Sequence, residues 1–126
     1  MPDAKSIALD FFETLLIKKQ PAEAAARFLG PEGYIQHNPK VPTGPADGFV
    51  AFITAMFAEL PDWSTQIKRV IAEDDLVVIH HHVRSTPDDL GQAVVDIFRV
   101  RDGKLVEHWD VIQPVPADAA NDNTMF

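Results

Sequence analysis

The chain has 126 residues, of which 46% are hydrophobic and 24% are charged, which is typical of one globular domain spanning 1–126. Its formal net charge of −8 argues against binding to nucleic acid or to an anionic membrane, because both need basic patches on the protein. The chain contains no cysteine, which excludes a disulfide framework and a thiol nucleophile.

The first half of the chain predicts three helices. Asp3 is a capping residue before a first helix, and apolar residues repeat at helical spacing over 4–16. Pro21 and Gly30 bracket a short second helix. A third helix is expected over about 46–60, and its apolar face is aromatic: Phe49, Phe52, Ile53, Met56, Phe57 and Leu60.

The same stretch predicts where the protein resides. Acidic residues interrupt the first apolar segment, so it lacks the apolar core of a signal peptide. A transmembrane helix needs a run of about 18 apolar residues, and the sequence has none. We therefore expect a soluble, cytoplasmic protein with no membrane partner.

The second half of the chain predicts strands, because the apolar period changes to two. Within GYIQHNP, residues 33–39, we expect a short strand or an irregular segment, and 114–126 is an irregular tail. The dipeptide Asp102-Gly103 is a strong signal for a tight hairpin. The four longer strands are expected over 62–73, 76–84, 92–101 and 104–113. Helices followed by such a meander predict an α+β fold, with a curved antiparallel sheet covered by helices on one face.

The last hairpin decides which polar residues share a face of this sheet. A three-residue loop with Gly103 in the left-handed conformation puts Asp96 opposite His108. A two-residue turn reverses the parity and brings Trp109 beside Asp96. We favour the first arrangement, in which five residues line one surface: Asp96, Phe98, His108, Asp110 and Ile112.

The segment IHHHVR contributes further histidines. Strand alternation puts His80 and His82 on one face and His81 on the other, and we expect the pair to face the pocket. The His-x-His spacing is also half of a three-histidine metal site. Since no third ligand can be named, we expect no bound metal.

Two interpretations of these polar groups are open at this point. A few ionisable groups that converge on an apolar cavity are the usual form of a small-molecule site, and burial raises the pKa of a carboxyl so that it becomes a useful base. In the structural alternative, Asp96 pairs with a strand histidine to hold the sheet, and His108 and Asp110 are structural polar groups. The aromatic face of the third helix is then ordinary core.

The sequence also resembles a known family, the SnoaL-like proteins of the nuclear transport factor 2-like (cystatin-like α+β cone) superfamily. The resemblance covers nearly the whole chain and is carried by HNP, IHHHVR, the closing NTMF and, most specifically, DIFRVRDGKLVEHWDVIQP. It implies a strongly curved antiparallel sheet wrapped around three N-terminal helices, which together form a cone-shaped pocket. It also implies that the protein is commonly a homodimer.

The resemblance further implies a reaction. The polyketide cyclase that gives the family its name closes a ring by an intramolecular aldol reaction without a cofactor, with an aspartate as general acid/base. Asp110 in EHWD matches that position, and we expect His108 and Asp96 to orient it. Ligand contacts are expected from nine residues: Tyr34, His37, Asn38, Phe52, Met56, His80, His82, Phe98 and Ile112.

The expected function is therefore cofactor-free acid/base catalysis, an aldol-type cyclisation or an isomerisation, on a partly apolar carbonyl compound. The alternative is a non-catalytic protein of the same fold that only binds a small ligand. We also expect a homodimer formed through the outer face of the sheet, because apolar residues alternate there with the pocket set: Val95, Ile97, Trp109 and Val111.

Overall fold

The computed structural model describes residues 2–126 and follows the predicted order of elements. The predicted cap is confirmed, because Asp3 Oδ1 accepts a hydrogen bond of 2.8 Å from the Ser6 N–H. The last turn of the first helix, Glu13–Ile17, is π-helical. The helices are α1 (Ala4–Phe12), α2 (Pro21–Phe28) and α3 (Ala46–Glu59), and the strands are β1 (Ile35–Gln36), β2 (Ser64–Glu73), β3 (Leu76–Arg84), β4 (Gln92–Arg101) and β5 (Lys104–Pro114).

The five strands form one curved, open sheet in the order β1-β5-β4-β3-β2. Strands β2 to β5 form the predicted antiparallel meander. The segment that was expected to be a short strand or irregular forms β1, which pairs parallel to β5 at one edge and makes the sheet mixed, with Gln36 beside His108. A sheet edge exposes unpaired backbone groups, and this short strand covers part of that edge.

The β4–β5 hairpin differs from the expected loop but keeps the expected face. Its turn has two residues, Asp102 and Gly103, both with positive φ (50° and 76°), so the predicted three-residue loop is wrong. A β-bulge follows, because Arg99 pairs with Glu107 whereas Val100 pairs with Leu105. The two-residue turn alone would exchange the faces on which the residues of β5 lie, and the extra residue of the bulge exchanges them back.

The bulge therefore returns the polar residues to one surface. Asp96 lies opposite Asp110 rather than opposite His108, and Phe98 is the residue opposite His108. Trp109 pairs with Ile97 on the other surface. The predicted set of residues is right, although its pairing register is shifted.

The three helices pack against one face of the sheet, which we call the helix-facing face. Phe11 of α1 lies at the centre of this core and contacts the rings of Phe28, Tyr34, Phe49 and Phe98, with ring centroids 5.7–6.5 Å apart. Three of these contacts are edge-to-face, and such aromatic pairs stabilise the core beyond the burial of apolar area. The core thus fixes the helices on the surface that carries the polar residues.

Outside the sheet, residues 115–126 contain no helix or strand, so the tail predicted over 114–126 begins one residue later, because Pro114 belongs to β5. Phe126 nevertheless packs on the opposite, outer face of the sheet, where its ring stacks on His82 with a centroid distance of 4.0 Å. Among residues 2–126, none of the helices is long and apolar enough to cross a membrane. A cytoplasmic location stays a prediction.

Candidate active site

A cavity of about 190 Å³ lies between the helices and the helix-facing face of the sheet. The helices line it with apolar side chains, among them Phe11, Phe52, Ile53 and Met56. The opposite wall comes from the strands and from the segment after β1, and its polar part, which we call the polar wall, consists of Gln36, Asn38, His81, Asp96, His108 and Asp110. A largely apolar cavity with a few converging polar groups is the usual form of a small-molecule site.

Asp96 is the buried centre of the polar wall. The residue is 6% exposed, and its two carboxylate oxygens contact two different histidines. Oδ1 accepts from His108 Nε2 at 2.6 Å, and Oδ2 contacts His81 Nε2 at 2.5 Å. Burial acts to raise the pKa of Asp96, but the hydrogen bonds from His108 and His81 outweigh it and hold that pKa at about 2. Asp96 is therefore a carboxylate at neutral pH.

The two histidines continue this network to the edges of the sheet. His81 Nδ1 contacts Thr65 Oγ1 at 2.6 Å, and His108 Nδ1 contacts Gln36 Oε1 at 2.7 Å. The resulting chain, Thr65–His81–Asp96–His108–Gln36, takes one side chain from each strand in the order β2, β3, β4, β5, β1. We call it the polar chain. It crosses the whole sheet beneath the cavity.

Asp110 lies beside the polar chain but is not a link in it. Its Oδ2 accepts a hydrogen bond of 2.9 Å from Asn38 Nδ2 and lies 3.9 Å from His108 Nε2. Asn38 is held in this orientation because its Oδ1 accepts from the Lys40 N–H at 2.8 Å. Burial raises the pKa of Asp110, the bond from Asn38 opposes this, and the charge of Asp96 adds to the rise. A carboxyl group in such surroundings can both accept and return a proton.

Most of the predicted site residues line the cavity. Besides Asp96, His108 and Asp110, these are Tyr34, Asn38, Phe52, Met56, Phe98 and Ile112. Tyr34 and Phe98 also pack against the His108 ring, with centroid distances of 5.2 and 4.9 Å. Burial raises the pKa of Tyr34 far above its ordinary value, so its hydroxyl stays protonated. Direct contact of these residues with a ligand stays a prediction.

Three predicted histidines do not reach the cavity. His37 is on the outer face, where it contacts Glu107 at 2.8 Å and stacks on Trp109. His80 contacts Arg69 on the same face. His82 also projects away from the cavity, and its Nε2 donates to the Leu90 carbonyl at 2.8 Å. The prediction that these three histidines face the pocket is therefore wrong.

The histidine that reaches the cavity from β3 is His81, which sequence reasoning set on the wrong side. The alternation of His80, His81 and His82 was recognised, but the flanking residues of LVVIHHHV are apolar on both faces. Alternation alone therefore gives no sign of which face is inward. Gln36 and Thr65 were also missed, because no motif singles them out. Their roles depend on strand register.

Asp96, His108 and Asp110 are also the residues that could hold a metal ion, since one ligand atom from each lies within 4.8 Å of the others. Two of those three residues are already bonded to each other, through the short contact between His108 Nε2 and Asp96 Oδ1. An ion would have to separate this pair to bind there. The expectation of no metal stays a prediction.

The chain matches the family model of the SnoaL-like domain over residues 8–108. The matched segment includes the whole polar chain and ends two residues before Asp110. It spans most of the sequence, so the predicted family is confirmed. No curated protein matches the chain at a significant level.

Solved structures with the same fold include several bacterial proteins. A candidate polyketide cyclase from Acidithiobacillus ferrooxidans has a TM-score of 0.71 and 20% identity, covering 86% of this chain and 87% of that one. TsrD from Streptomyces laurentii has a TM-score of 0.67 and 23% identity, and the match covers 89% of this chain and 91% of TsrD. A candidate ketosteroid isomerase from Kribbella flavida has a TM-score of 0.72 and 18% identity, and the match covers 94% of this chain and 83% of that one. At such identities the likeness shows the fold alone.

Proposed function

This chain belongs to the SnoaL-like domain family, and we propose that it is a small-molecule enzyme in which Asp110 is the general acid/base. The reaction proposed is a cofactor-free aldol-type cyclisation or isomerisation of a partly apolar carbonyl compound. The observation that carries the proposal is the carboxylate of Asp110, which lies at the cavity wall with its pKa raised by burial. Its neighbour Asp96, by contrast, is bonded on both oxygens.

The two carboxylates differ in the way that acid/base chemistry requires. Pairs of titratable groups whose surroundings push their pKa values apart divide the roles between them. The pKa of Asp96 is held at about 2, so it stays ionised and orients its histidines. The pKa of Asp110 moves upward, toward the range in which a carboxylate is an effective base.

In the proposed step, Asp110 accepts a proton from the carbon next to the carbonyl group of the substrate. The electrons of the broken C–H bond form a C=C bond, and the carbonyl electrons move to oxygen to give an enolate. In an isomerisation, Asp110 returns the proton to another carbon of the conjugated system. In an aldol closure, the enolate carbon attacks a second carbonyl of the same molecule, and Asp110 protonates the new alkoxide. No external reagent is consumed.

The cavity limits the size of the substrate. Its volume of about 190 Å³ is slightly larger than that of an engineered apolar cavity of roughly 150 Å³ that binds benzene. The enclosed part of the ligand is therefore about one ring with a few further atoms. The apolar residues of α1 and α3 fit the ring, and the carbonyl group lies toward Asp110.

Two solved relatives are named as a candidate cyclase and a candidate isomerase, and both reaction types begin with the removal of a proton next to a carbonyl. This shared step gives the test. One-ring aryl and cyclic ketones are incubated with the protein in D₂O, and deuterium uptake at the carbon next to the carbonyl is followed by NMR. We expect saturable acceleration by the protein for at least one ketone. Saturable binding with no acceleration for any ketone would favour the non-catalytic alternative.

A further inference from the structure

We infer that the side-chain amide of Gln36 holds the carbonyl oxygen of the substrate, through a hydrogen bond from its nitrogen Nε2. The inference rests on the proposed function and deepens it, because it names the donor that lies opposite the base Asp110. No sequence motif singles out Gln36. Its role follows from the way the structure fixes the two ends of the amide.

Gln36 belongs to a short row of hydrogen-bond donors along one edge of the cavity. Tyr34, Gln36 and Asn38 alternate along the extended segment around β1, and all three line the cavity. The residues between them point the other way, since Ile35 is 58% exposed and His37 contacts its partner on the outer face. One hydroxyl and two amides therefore face the cavity from this edge.

The orientation of the Gln36 amide is fixed by the partners of its oxygen. The Asn38 backbone N–H donates to the amide at 3.0 Å, and a backbone N–H can only donate, so the atom that it meets is Oε1. The same oxygen lies 2.7 Å from His108 Nδ1. The oxygen is thus held from two sides, and the nitrogen is the part of the amide that is left for other partners.

The amide nitrogen of Gln36 has a hydrogen available for a ligand. An amide nitrogen carries two hydrogens. The Tyr34 hydroxyl takes at most one of them: burial and the charge of Asp96 raise the pKa of Tyr34, whereas a hydrogen bond from Gln36 acts to lower it. The other hydrogen bonds of the Gln36 side chain to residues 2–126 are made by Oε1. At least one N–H therefore remains.

Other polar groups of the cavity are less suited to this role. Each ring nitrogen of the two histidines in the polar chain contacts another member of that chain. Asn38 already donates to Asp110 at 2.9 Å. The Tyr34 hydroxyl hydrogen rotates, whereas the Gln36 amide is held in place. A donor that needs no reorganisation is the one that best stabilises developing charge.

Gln36 and Asp110 face the cavity from neighbouring strands. Gln36 pairs with His108, and Asp110 lies two residues further along β5. Neighbouring strands are about 4.8 Å apart and rise about 3.3 Å per residue, so the two backbones are about 8 Å apart. Asn38 joins the two side chains, since its N–H meets Gln36 and its amide meets Asp110. A carbonyl group bound in this interval has its oxygen at Gln36 and its neighbouring carbon at Asp110.

This arrangement has a defined effect on the proposed reaction. The carbonyl oxygen gains negative charge as Asp110 removes the proton from the neighbouring carbon, and the N–H of Gln36 stabilises that charge. Removal of one such donor typically lowers turnover by roughly 10²–10³-fold. We expect a loss of this size in deuterium exchange by Gln36→Met, which keeps the length of the side chain but has no N–H.

The hydrogen bond can be observed on a bound ketone without any turnover. Acetophenone, which has one ring and one carbonyl group, is labelled with ¹³C at the carbonyl carbon, and its C=O stretching frequency is measured by difference infrared spectroscopy. A hydrogen bond to the oxygen lowers this frequency relative to its value in hexane. We expect a lowered frequency in the wild-type protein and a rise toward the hexane value in Gln36→Met.

Two further variants complete the design. Gln113→Met is the matched control, because Gln113 is exposed on β5 and does not line the cavity, and it should leave the frequency at the wild-type value. Gln36→Glu keeps an oxygen for the Asn38 N–H but has no N–H of its own, so it should raise the frequency as Gln36→Met does. It also serves as the second variant if Gln36→Met does not fold.

Several results would overturn the inference: no saturable binding of acetophenone, a wild-type frequency equal to that in hexane, or a frequency that the Gln36 variants leave unchanged. A rise in Tyr34→Phe but not in Gln36→Met would assign the donor to Tyr34 instead. The outcome is separate from that of the proposed function. A frequency that depends on Gln36 in a protein without deuterium exchange supports the inference and contradicts the reaction, and exchange with a frequency independent of Gln36 does the reverse.

Discussion

The two faces of the sheet carry similar residues in different surroundings. On the helix-facing face, His81 and His108 are buried and share the carboxylate of Asp96. On the outer face, His37 contacts Glu107, and both side chains are partly exposed. The first group is enclosed by aromatic rings and a cavity, whereas the second borders on solvent. Each face thus pairs histidine with an acidic residue, but only one of them excludes water.

Residue type alone therefore does not identify a site. On the outer face His80 lies beside Arg69, and burial together with that positive charge lowers the pKa of His80. On the helix-facing side the partners of the histidine rings are the Asp96 carboxylate, the Gln36 amide and the Thr65 hydroxyl. Partner, burial and cavity together distinguish a candidate active site from a surface cluster.

The largest expected difference between the faces is in stability. Asp96→Ala leaves two buried histidines without their shared acceptor, and removal of one partner from a buried pair typically costs about 3–5 kcal/mol. Glu107→Ala breaks the contacts with His37 and Arg99 on the outer face, where water can replace them. Urea unfolding of both variants should show a much larger loss for Asp96→Ala. Equal losses would mean that the polar chain is not a stabilising unit.

A smaller effect is expected from acid. The pKa of Asp96 is about 2 in the folded protein against an ordinary value of 3.8. A carboxyl with a lowered pKa contributes stability that is complete above its unfolded value and is lost as the pH falls through its folded value. The contribution is about 2 kcal/mol, lost between about pH 5 and pH 2.

The measurement is the free energy of unfolding from pH 6 to pH 2 in the wild-type protein and in Asp96→Asn. Other carboxyls, such as that of Asp89, also have lowered pKa values, so both proteins lose stability in acid. The wild-type protein should lose more, by the share that belongs to Asp96. Parallel curves would contradict the pKa given to Asp96.

For Asp110 the sign is opposite. Its pKa is raised by burial, so folding favours the protonated form. Such a group contributes stability below its unfolded pKa and loses it as the pH rises through its folded pKa. Asp110→Asn should therefore be at least as stable as the wild-type protein at pH 7, as measured by thermal unfolding. A clear loss of stability would favour the structural interpretation of Asp110.

The outer face gives a prediction of a different kind, the homodimer. The apolar residues expected there are paired across β4 and β5, and Val111 is 67% exposed, while Ile71 on β2 is 60% exposed. Light scattering at micromolar concentration should give twice the chain mass of 14.0 kDa. Val111→Glu should shift the mass toward the monomer with little effect on the protomer itself. A wild-type mass of 14.0 kDa would exclude this dimer.

Much of the fold could be predicted from the sequence, because it depends on local patterns. The helices follow from apolar spacing, from the Asp3 cap and from Pro21, and the meander follows from the change of period. The parallel pairing of β1 could not be predicted, since a two-residue strand has no periodicity. The bulge near Val100 was also invisible, because its sequence is an ordinary alternating strand.

The candidate site was predictable where one motif carried it. DIFRVRDGKLVEHWD contains Asp96, His108 and Asp110, and two errors in that hairpin, the turn length and the missing bulge, cancelled. Which of the three histidines faces the cavity depends on which face of β3 points toward the helices. The sequence does not show this, because β3 carries buried residues on both faces. Contacts between distant strands, such as that of Gln36 with His108, require the three-dimensional register.

The most direct test of the central claim is deuterium exchange by Asp110→Asn, compared with Glu107→Gln, a change on the outer face of the same strand. The account predicts that Asp110→Asn lowers the exchange rate of a bound ketone by roughly 10²–10⁴-fold, the usual share of general acid/base catalysis. Ligand affinity should change far less, because the cavity survives, and Glu107→Gln should exchange at the wild-type rate. An Asp110→Asn protein that folds, binds the ketone and exchanges it at the wild-type rate would contradict the account.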